Sequence, residues 1–353
     1  LASSDQQTIT NNRIYSNNNG IHLISSGGSG NIITENEIYG NVGSGILLEN
    51  SKASTAGNNE MMRNEIYNNG ESGIYLYSSN TNSIQQNEIY TNEYGILTNS
   101  SDDNTIDSNE IYDNVNTGLY LILSNGNKIN NNSISFNEIG MYFYGSSQGD
   151  QYKISGNMIW NNTMGIFLNA SDSNYFGYDQ VNVIWNNSYG IYMITSLNNH
   201  FTYNIIYSNT YGFFVTSSNN YLNNNIISNN SYGICLFQAS NIEINENKID
   251  NNTIGVYINS SSTDNAITGN NFILNAPSQY GVYIEGILCK DNKIYLNNFI
   301  NVTSISRSLG YDSGGGNSWY NIDSQEKRGN YWGNYIQRYP NATMLPENNS
   351  WYW

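Results

Sequence analysis

The chain has 353 residues and a formal net charge of −16 at pH 7, from 12 Lys and Arg against 28 Asp and Glu. With so few cations, binding to nucleic acid or to an anionic membrane surface is not expected, because both need a dense positive surface. No apolar run approaches 18 residues, so the sequence predicts no membrane-spanning helix. The polar, acidic and lysine-poor composition is typical of an extracellular or cell-surface protein.

A repeat fills the chain from about residue 11 to residue 300. It reads Asn-x-Ile-Tyr-x-Asn, then Gly and a short Ile-Tyr-Leu run, as in residues 87–92 and 95–97. The glycines of the twelve copies lie 21 to 28 residues apart, at Gly20, Gly45, Gly73, Gly95, Gly118, Gly140, Gly165, Gly190, Gly212, Gly233, Gly255 and Gly281. A repeat of this period indicates a solenoid.

Asparagine, which occurs 69 times, marks the repeat. Aligned on the first Asn, the copies begin at Asn12, Asn36, Asn64, Asn87, Asn109, Asn132, Asn157, Asn182, Asn204, Asn225, Asn247 and Asn271, with a weaker thirteenth at Asn298. A second Asn follows five residues later in eleven of the twelve copies. Stacked Asn side chains hydrogen-bond along a column in cross-β structures, so Asn ladders are predicted.

The repeat predicts short strands and no helices. A run such as Ile74-Tyr75-Leu76 alternates in, out and in, which is the period of a half-buried strand. Three such strands separated by Asn, Gly and Ser turns describe one coil of a parallel β-helix, and parallel crossovers make it right-handed. We therefore predict an all-β, right-handed parallel β-helix of about 12–13 coils over residues 1–302. The isoleucines predicted to stack in its core include Ile14, Ile38, Ile66, Ile89 and Ile111.

The repeat decays from about residue 303. Residues 303–353 contain Gly-Asn-Tyr-Trp-Gly-Asn-Tyr at 329–335 and end in Trp351-Tyr352-Trp353. We predict that this segment is an irregular, aromatic-rich C-terminal cap that folds over the last coil.

The repeat resembles that of the right-handed parallel β-helix family found in polysaccharide-active proteins. It is most similar to the branch that includes NosD and many archaeal cell-surface and sheath-type proteins. In that branch a coil reads Asn-x-Ile-x-x-Asn-x-x-Gly-Ile-x-Leu, and the array often ends in Gly-Asn-Tyr-Trp, which stands here at 329–332. The chain departs from the branch in lacking a long Asp- and Gly-rich tail after the Trp. The resemblance implies the fold more than a function, because one fold carries many functions.

The resemblance implies that catalysis would use acidic residues clustered on one face, joined in lyases by Ca²⁺ and a basic proton acceptor. A hydrolase needs two carboxylates in reach of one bond. The dense Asp group is Asp102, Asp103 and Asp107, and no Arg lies in the middle repeats. We interpret these aspartates as a solvated turn. No catalytic residue is assigned, and the chain is predicted not to be an enzyme, with a polysaccharide lyase or hydrolase as the second interpretation.

One column of acids is a candidate cation site. Glu37, Glu65, Glu88 and Glu110 occupy the same position in four successive copies. Stacked carboxylates about 5 Å apart repel unless they are solvated, protonated or bridged. A column of Ca²⁺ ions would relieve the repulsion, because oxygen ligands suit hard cations. The interpretation that we favour is that these side chains fan into water, so no cofactor is required.

The sequence argues against a soft-metal site and against a disulfide. Copper needs clustered His, Met or Cys, but His22 and His200 lie many repeats apart. Cys235 and Cys289 are two coils apart, roughly 9–10 Å along the axis, whereas bridged Cα atoms lie within about 7 Å. We predict no intramolecular disulfide, and two free thiols or one bond between subunits stay open.

Aromatic residues recur at the outward position after each Gly. They predict a column on one face: Tyr75, Tyr120, Tyr142, Phe167, Tyr192, Phe214, Tyr257 and Tyr283. A second column includes Tyr15, Tyr39, Tyr67, Tyr90, Tyr112, Trp160, Trp185 and Tyr207. The rings either stabilise the sheet face or form a contact surface for sugar chains or neighbouring subunits, since contiguous exposed aromatics mark interaction sites.

Sequons for N-glycosylation are frequent. They lie at Asn99, Asn131, Asn161, Asn169, Asn186, Asn229, Asn251, Asn259, Asn301, Asn341 and Asn348. A chain so rich in Asn, Ser and Thr produces many sequons by chance, so they give weak support to an extracellular location.

Two functional hypotheses follow. The first coil begins near residue 7 with no helix or charged cap before it, and an open coil end templates another chain. The first hypothesis is a secreted structural protein that self-assembles, by coil stacking and lateral aromatic contacts, into a cell-envelope layer, sheath or filament. Its partners would be copies of itself, with glycans or other envelope proteins as further candidates. The second is an extracellular carbohydrate-binding or polysaccharide-degrading β-helix protein that uses one aromatic face.

Overall fold

The structure is a computed structural model that describes residues 6–26, 30–51, 58–276, 278–301, 309–320 and 329–333, with only the backbone of Asp150, Tyr152 and Asn301. Within these ranges every regular element is a β-strand. None of the described residues form a helix long and apolar enough to cross a membrane. The chain divides into two compact units, Leu1–Val183 and Ile184–Trp353.

In the first unit, successive coils contribute strands to three parallel sheets. The strands of sheet 1 are Thr8–Thr10, Ile32–Thr34, Glu60–Met62, Ser83–Gln85, Thr105–Asp107 and Lys128–Asn130. The strands of sheet 2 are Arg13–Tyr15, Glu37–Tyr39, Glu65–Tyr67, Glu88–Tyr90, Glu110–Tyr112, Ser133–Ser135 and Met158–Trp160. The strands of sheet 3 are Ile21–Ile24, Ile46–Glu49, Ser72–Tyr77, Tyr94–Asn99, Thr117–Ile122, Ile139–Tyr144 and Met164–Asn169. Two further strands, Gly149–Ile154 and Asn174–Gly177, pair with each other.

Strands of the second unit also form three parallel sheets, which are numbered in the same way. The strand Val183–Trp185 contains the boundary between the two units. The strands of sheet 1 are His200–Thr202, Tyr221–Asn223, Glu243–Asn245, Ala266–Thr268 and Lys293–Tyr295. The strands of sheet 2 are Ile205–Tyr207, Ile226–Ser228, Lys248–Asp250, Asn271–Leu274, Asn298–Asn301 and Tyr331–Trp332. The strands of sheet 3 are Tyr189–Ile194, Tyr211–Thr216, Tyr232–Phe237, Ile254–Asn259, Tyr280–Ile284 and Gly310–Asp312. The predicted all-β parallel solenoid of about twelve turns is confirmed.

Isoleucines in register form the core of each coil. Ile38, Ile66, Ile89 and Ile111 are fully buried and pair with one another in successive strands of sheet 2, as predicted. Ile14, in the first described coil, is only half-buried. The central residue of a three-residue strand therefore faces inward, and its two neighbours face outward.

Glycine interrupts the strict alternation in sheet 3. Gly95 and Ile96 are both buried, whereas Tyr94 before them and Leu97 after them are half-buried. The interior leaves no room for a side chain here: a Cβ placed on the equivalent Gly45 would lie 2.7 Å from the next glycine's carbonyl oxygen. Only glycine lets consecutive coils stack at this bend.

Buried asparagines form the predicted ladders within each unit. The backbone N–H and the Nδ2 of Asn109 each donate to Oδ1 of Asn132 at 3.0 Å. In turn, Oδ1 of Asn109 accepts the same two bonds from Asn87, both at 3.0 Å. A further bond runs from Asn109 Nδ2 to the carbonyl of Ile84 at 2.9 Å. The ladder thereby satisfies polar groups at turns that are fully removed from water.

The structure contains a third Asn ladder that the sequence analysis did not predict. Nδ2 of Asn59 donates to Asn82 at 2.8 Å, and Nδ2 of Asn82 donates to Asn104 at 3.2 Å. The signal was present in the sequence, because these asparagines stand five residues before the first Asn of their repeats. Each coil that carries all three ladders therefore has a buried Asn at each of three corners.

The predicted start of the twelfth copy at Asn271 is wrong by one residue. Nδ2 of Asn247 donates to Oδ1 of Asn270 at 2.9 Å, and Nδ2 of Asn270 donates to Asn297 at 3.0 Å. Asn271 is instead the exposed first residue of its strand, and the thirteenth copy likewise begins at Asn297 rather than Asn298. A doublet of asparagines is ambiguous in the sequence, and the register of the neighbouring coils selects the buried one.

The described part of the predicted C-terminal cap contributes strands to the second unit. Gly310–Asp312 pairs with Tyr280–Ile284, and Tyr331–Trp332 pairs with Asn298–Asn301. The ring of Trp332 stacks on Phe299 with centroids 4.2 Å apart. Trp351, Tyr352 and Trp353 lie outside the described residues, and the domain bounds 1–302 and 303–353 stay predictions.

Candidate functional site

The acidic column predicted as a cation site lies on the outer side of sheet 2 in the first unit. Glu37, Glu65, Glu88 and Glu110 are in register in four successive strands. At the start of the column, Nε of Arg13 lies 2.5 Å from Oε2 of Glu37, an exposed pair that contributes little to stability. Across the described ranges, no group of three or more His, Cys, Asp or Glu could hold a metal ion. The Ca²⁺ column therefore stays a prediction.

Tyrosine hydroxyls bond to three of these four carboxylates. The outward tyrosine of each coil reaches back to the glutamate of the preceding coil. The three contacts, each from a tyrosine Oη to a glutamate Oε1, are Tyr67 to Glu37 at 2.9 Å, Tyr90 to Glu65 at 2.8 Å and Tyr112 to Glu88 at 2.6 Å. Hydrogen bonds to a charged acceptor are stronger than neutral ones, so these three bonds stabilise Glu37, Glu65 and Glu88 in the column.

The tyrosines of this column stack face to face. Successive rings lie 5.0 to 5.2 Å apart with interplanar angles of 4 to 15°. The column consists of Tyr15, Tyr39, Tyr67, Tyr90 and Tyr112. Because each interior ring covers its neighbour's face, the column stabilises the sheet and presents mainly ring edges to solvent.

Alkaline pH is expected to destabilise the first unit through these tyrosines. Desolvation, then the hydrogen bond and charge of Glu37, raise the pKa of Tyr67 from the ordinary 10.0 to about 12. Its neutral phenol is favoured in the folded state, so this contribution to stability is complete below pH 10 and is lost as the pH rises through about 12. Denaturant unfolding followed from pH 9 to pH 12 will measure the loss. The Tyr67→Phe variant should show a smaller decline, and an equal decline would contradict the assignment.

Of the aspartates interpreted as a solvated turn, Asp102 and Asp103 lie where sheet 3 leads to sheet 1, and Asp107 ends the following strand of sheet 1. Oδ1 of Asp102 accepts the backbone N–H of Asn125 at 2.7 Å, and Oδ1 of Asp107 accepts Nδ2 of Asn131 at 3.0 Å. Asp103 is exposed in the turn with a φ of 57°. These contacts organise turns of neighbouring coils.

The remaining candidate residues are dispersed. In the first unit, Nε2 of His22 lies 3.1 Å from Oε2 of Glu49. In the second, the ring of His200 stacks on Tyr221 at 4.4 Å, and Cys235 and Cys289 are free and buried. Of the sequons, Asn131, Asn186 and Asn229 are exposed and Asn99, Asn161, Asn169, Asn251 and Asn259 are half-buried, while Asn341 and Asn348 lie outside the described residues.

The rings of the aromatic column of sheet 3 in the first unit stack parallel to one another. Tyr120 and Tyr142 lie 4.6 Å apart at 5°, and Tyr142 and Phe167 lie 4.7 Å apart at 19°. Leu97 separates Tyr75 from Tyr120 in the same column. As in sheet 2, stacked rings cover one another's faces.

Sheet 3 of the second unit has a different arrangement, which we call the aromatic face. It carries two columns of rings, one of which precedes the glycines. Tyr189 and Tyr211 stack at 5.1 Å, and Tyr211 and Tyr232 stack at 4.9 Å. The face comprises Tyr189, Tyr192, Tyr211, Phe214, Tyr232, Phe237, Tyr257, Tyr280, Tyr283 and Tyr311. The sequence analysis missed the column before the glycines, because the inward bend at Gly breaks the alternation that it assumed.

Phe214 is turned across the stacked tyrosines of the aromatic face. Its ring is inclined by 79° to Tyr189, 82° to Tyr192 and 77° to Tyr211. Phe237 follows Phe214 at 24°, and 37% of its surface is exposed. Phe214 is therefore stacked with Phe237, at a centroid distance of 6.2 Å, and not with the tyrosines around it.

Cys235 interrupts the column of outward rings next to Phe214. It stands in register between Phe214 and Tyr257, at a position where an aromatic ring was expected. A thiol offers no ring face on which Phe214 can stack. Burial raises the pKa of the Cys235 thiol to about 12, so the group stays uncharged beneath the surrounding rings.

Carboxylates lie at one end of the aromatic face. Glu285 accepts hydrogen bonds from the hydroxyl of Tyr257 and, at 3.5 Å, from Nδ2 of Asn259. Asp312 accepts Nδ2 of Asn317 and Nε1 of Trp319, both at 3.0 Å. Both acids are thus held by neighbouring donors. The face as a whole offers ring surfaces, hydroxyls and amides, which suit a ligand that is partly apolar and rich in hydroxyl groups.

The fold resembles several solved structures at low identity. The A-module of the mannuronan C-5 epimerase AlgE6 from Azotobacter vinelandii is 14% identical with a TM-score of 0.52, and the match covers 89% of each chain. The corresponding module of AlgE4 from the same organism is 14% identical with a TM-score of 0.52, over 90% of this chain and 87% of that one. The Dettilon tailspike protein is 15% identical with a TM-score of 0.56, over 78% of this chain and 62% of its own. No curated protein matches the chain in sequence.

Two family models match the sequence itself. Residues 28–181 match the right handed beta helix region. Residues 137–336, more than half of the chain, match the family described as periplasmic copper-binding protein (NosD). The predicted resemblance is confirmed, and the chain belongs to the NosD family of right-handed parallel β-helix proteins.

Proposed function

We propose that this protein binds polysaccharide chains outside the cytoplasm, on the aromatic face of its second unit. The observation that carries the proposal is the ring of Phe214, which is inclined by 79° to Tyr189 and 82° to Tyr192 and lies beside Phe237, a ring with 37% of its surface exposed. The similar folds support it, because two of them are modules of enzymes named for a polysaccharide, mannuronan. The periplasmic description of the family supports an extracytoplasmic location.

Sugar rings and aromatic rings are complementary. The face of an aromatic ring carries partial negative charge, and the C–H groups on one side of a pyranose carry partial positive charge. A sugar that stacks on Phe214 or Phe237 keeps its hydroxyls at the periphery, where Thr216, Tyr257 and Asn259 offer donors and acceptors. A coil spacing of about 4.8 Å is close to the length of one sugar unit, so a chain laid across the coils would meet one unit per coil.

The arrangement favours binding over catalysis. Hydrolysis of a glycosidic bond uses a carboxylic acid and a carboxylate in reach of one bond. Glu285 and Asp312 are instead engaged by neighbouring side chains, and Asp312 also accepts the backbone N–H of Gly314 at 2.8 Å. Their hydrogen bonds hold these two side chains in place at the end of the aromatic face.

The self-assembling layer, sheath or filament predicted from the sequence is the less supported hypothesis. It depended on stacking of open coil ends, which stays a prediction, and on aromatic columns available for lateral contacts. In the first unit the rings of Tyr120, Tyr142 and Phe167 stack on one another instead. The similar folds include mannuronan epimerase modules and a tailspike, so they favour the carbohydrate hypothesis.

The described residues do not fit the copper site that the family description implies. Copper is held by clustered imidazole, thiolate or thioether ligands. His22 is paired with Glu49, the ring of His200 lies on Tyr221, and no group of three or more His, Cys, Asp or Glu that could hold a metal ion occurs in the described ranges. Copper therefore has no part in the proposed function.

Affinity electrophoresis of the intact protein through gels that contain soluble polysaccharides will test the proposal. A panel of neutral and acidic polymers is used, and the products are analysed for shortened or modified chains. We expect retardation by at least one polymer without change in the polymer. Migration unaffected by every polymer would refute binding, and a modified polymer would replace binding with catalysis.

A further inference from the structure

We propose that the polysaccharide recognised on the aromatic face is uncharged. This inference rests on the proposed function and specifies its ligand class. It is carried by the distribution of charge around the face rather than by the similar folds, two of which are named for an acidic polymer.

The six strands of the aromatic face contain no Lys, Arg or His. The described cations of this unit lie elsewhere. Lys248 begins a strand of sheet 2, where its Nζ lies 3.4 Å from Asp250, and Lys293 begins a strand of sheet 1. Lys290 is exposed in the segment that precedes that strand.

The described charges on or directly after the strands of the face are negative. Glu285 and Asp312 are both exposed at its end, and the whole chain carries a net charge of −16. A polymer with one carboxylate per sugar would bring like charges together along several coils, and like charges repel. Each ligand carboxylate would also lose water against aromatic rings without gaining an ionic partner, which is unfavourable.

The polar groups available on the face suit hydroxyls. Nδ2 of Asn259 donates to Oη of Tyr257 at 2.7 Å, and Oγ1 of Thr216 donates to the carbonyl of Met193 at 3.0 Å. Neutral hydroxyls and amides both donate and accept, as sugar hydroxyls do. The face therefore complements an uncharged, hydroxyl-rich chain.

Matched pairs of oligosaccharides will test the inference by isothermal titration at low ionic strength. Each pair shares length and linkage and differs only in the carboxylate: mannan with mannuronan, glucan with glucuronan, and galactan with galacturonan. We expect a neutral member to bind at least tenfold more tightly than its acidic counterpart, with the gap narrowing as salt is added. Equal or tighter binding of the acidic members would overturn the inference and leave the proposed function standing. No binding by any member would instead refute the proposed function.

A cation placed on the face provides an independent test. Thr216 is two residues after Phe214 on the same strand, so Thr216→Lys puts a positive charge beside that ring. We expect it to raise the affinity for each acidic member several-fold relative to the affinity for its neutral counterpart. Asn271→Lys, on the exposed side of sheet 2, is the matched control and should change neither. If both variants raise acidic binding equally, net charge and not the face controls selectivity, and the site assignment is wrong.

Discussion

Replacing Asn109 by Ala is expected to lower the free energy of unfolding by about 2–6 kcal/mol. The substitution removes the oxygen that accepts both the backbone N–H and the Nδ2 of Asn87 at 3.0 Å. Each buried donor left unsatisfied costs about 1–3 kcal/mol. The carbonyl of Ile84 also loses the Nδ2 donor at 2.9 Å. Denaturant unfolding monitored by circular dichroism will measure the change.

Asn12→Ala is the matched control, because Asn12 is the exposed first member of the same column. It donates to Asn36 in the same way, at 3.1 Å from both nitrogens. Water can replace those bonds, so we expect a loss of less than about 1 kcal/mol. Equal losses for the two variants would mean that burial does not set the strength of the ladder.

Removing the rings of Phe214 and Phe237 from the aromatic face should abolish most polysaccharide affinity. Stacking on an aromatic side chain contributes about 1–3 kcal/mol per ring in nucleic-acid binding, and 1.4 kcal/mol corresponds to tenfold in affinity. We expect Phe214→Ala to weaken binding about tenfold and the double variant with Phe237→Ala to weaken it further, toward a hundredfold. Isothermal titration with the tightest neutral oligosaccharide will measure both.

Two controls separate lost stacking from lost structure. Phe214→Tyr keeps a ring and should retain affinity within a few-fold. Tyr203→Asn removes an exposed aromatic of the same unit that lies outside the face, at a φ of 61° that Asn tolerates. Unfolding curves of all variants are compared. Weakening by Tyr203→Asn equal to that by Phe214→Ala would place the binding site elsewhere.

Much of the fold was predictable because its determinants are local. The inward isoleucines follow a period of two that a strand imposes on any sequence. The glycines are needed where a Cβ would meet the neighbouring coil, as at Gly45. The asparagines recur because each corner leaves a buried backbone N–H for which an amide oxygen is the acceptor, as in the contact between Asn109 and Asn132.

The candidate site was predictable only in outline. The sequence analysis placed Tyr192, Phe214, Tyr257 and Tyr283 on one outward face. Tyr192 lies in register with Phe214 and Tyr257 with Tyr283, and their role as an interaction surface stays a prediction. It treated every outward ring as equivalent. It also missed Tyr211 and its column, because the bend at glycine turns two consecutive residues inward.

By itself, the sequence determined the length of the coil, its strands, its buried isoleucines and the asparagines at its corners. Each of these features depends on residues within one repeat. The tertiary structure decided the properties that depend on contacts between coils. It selected Asn270 over Asn271 for the ladder, and it gave the carboxylate of Glu65 a hydroxyl partner from the next coil. It also turned Phe214 across its neighbours beside Cys235, because the orientation of a ring is set by the side chains stacked above and below it.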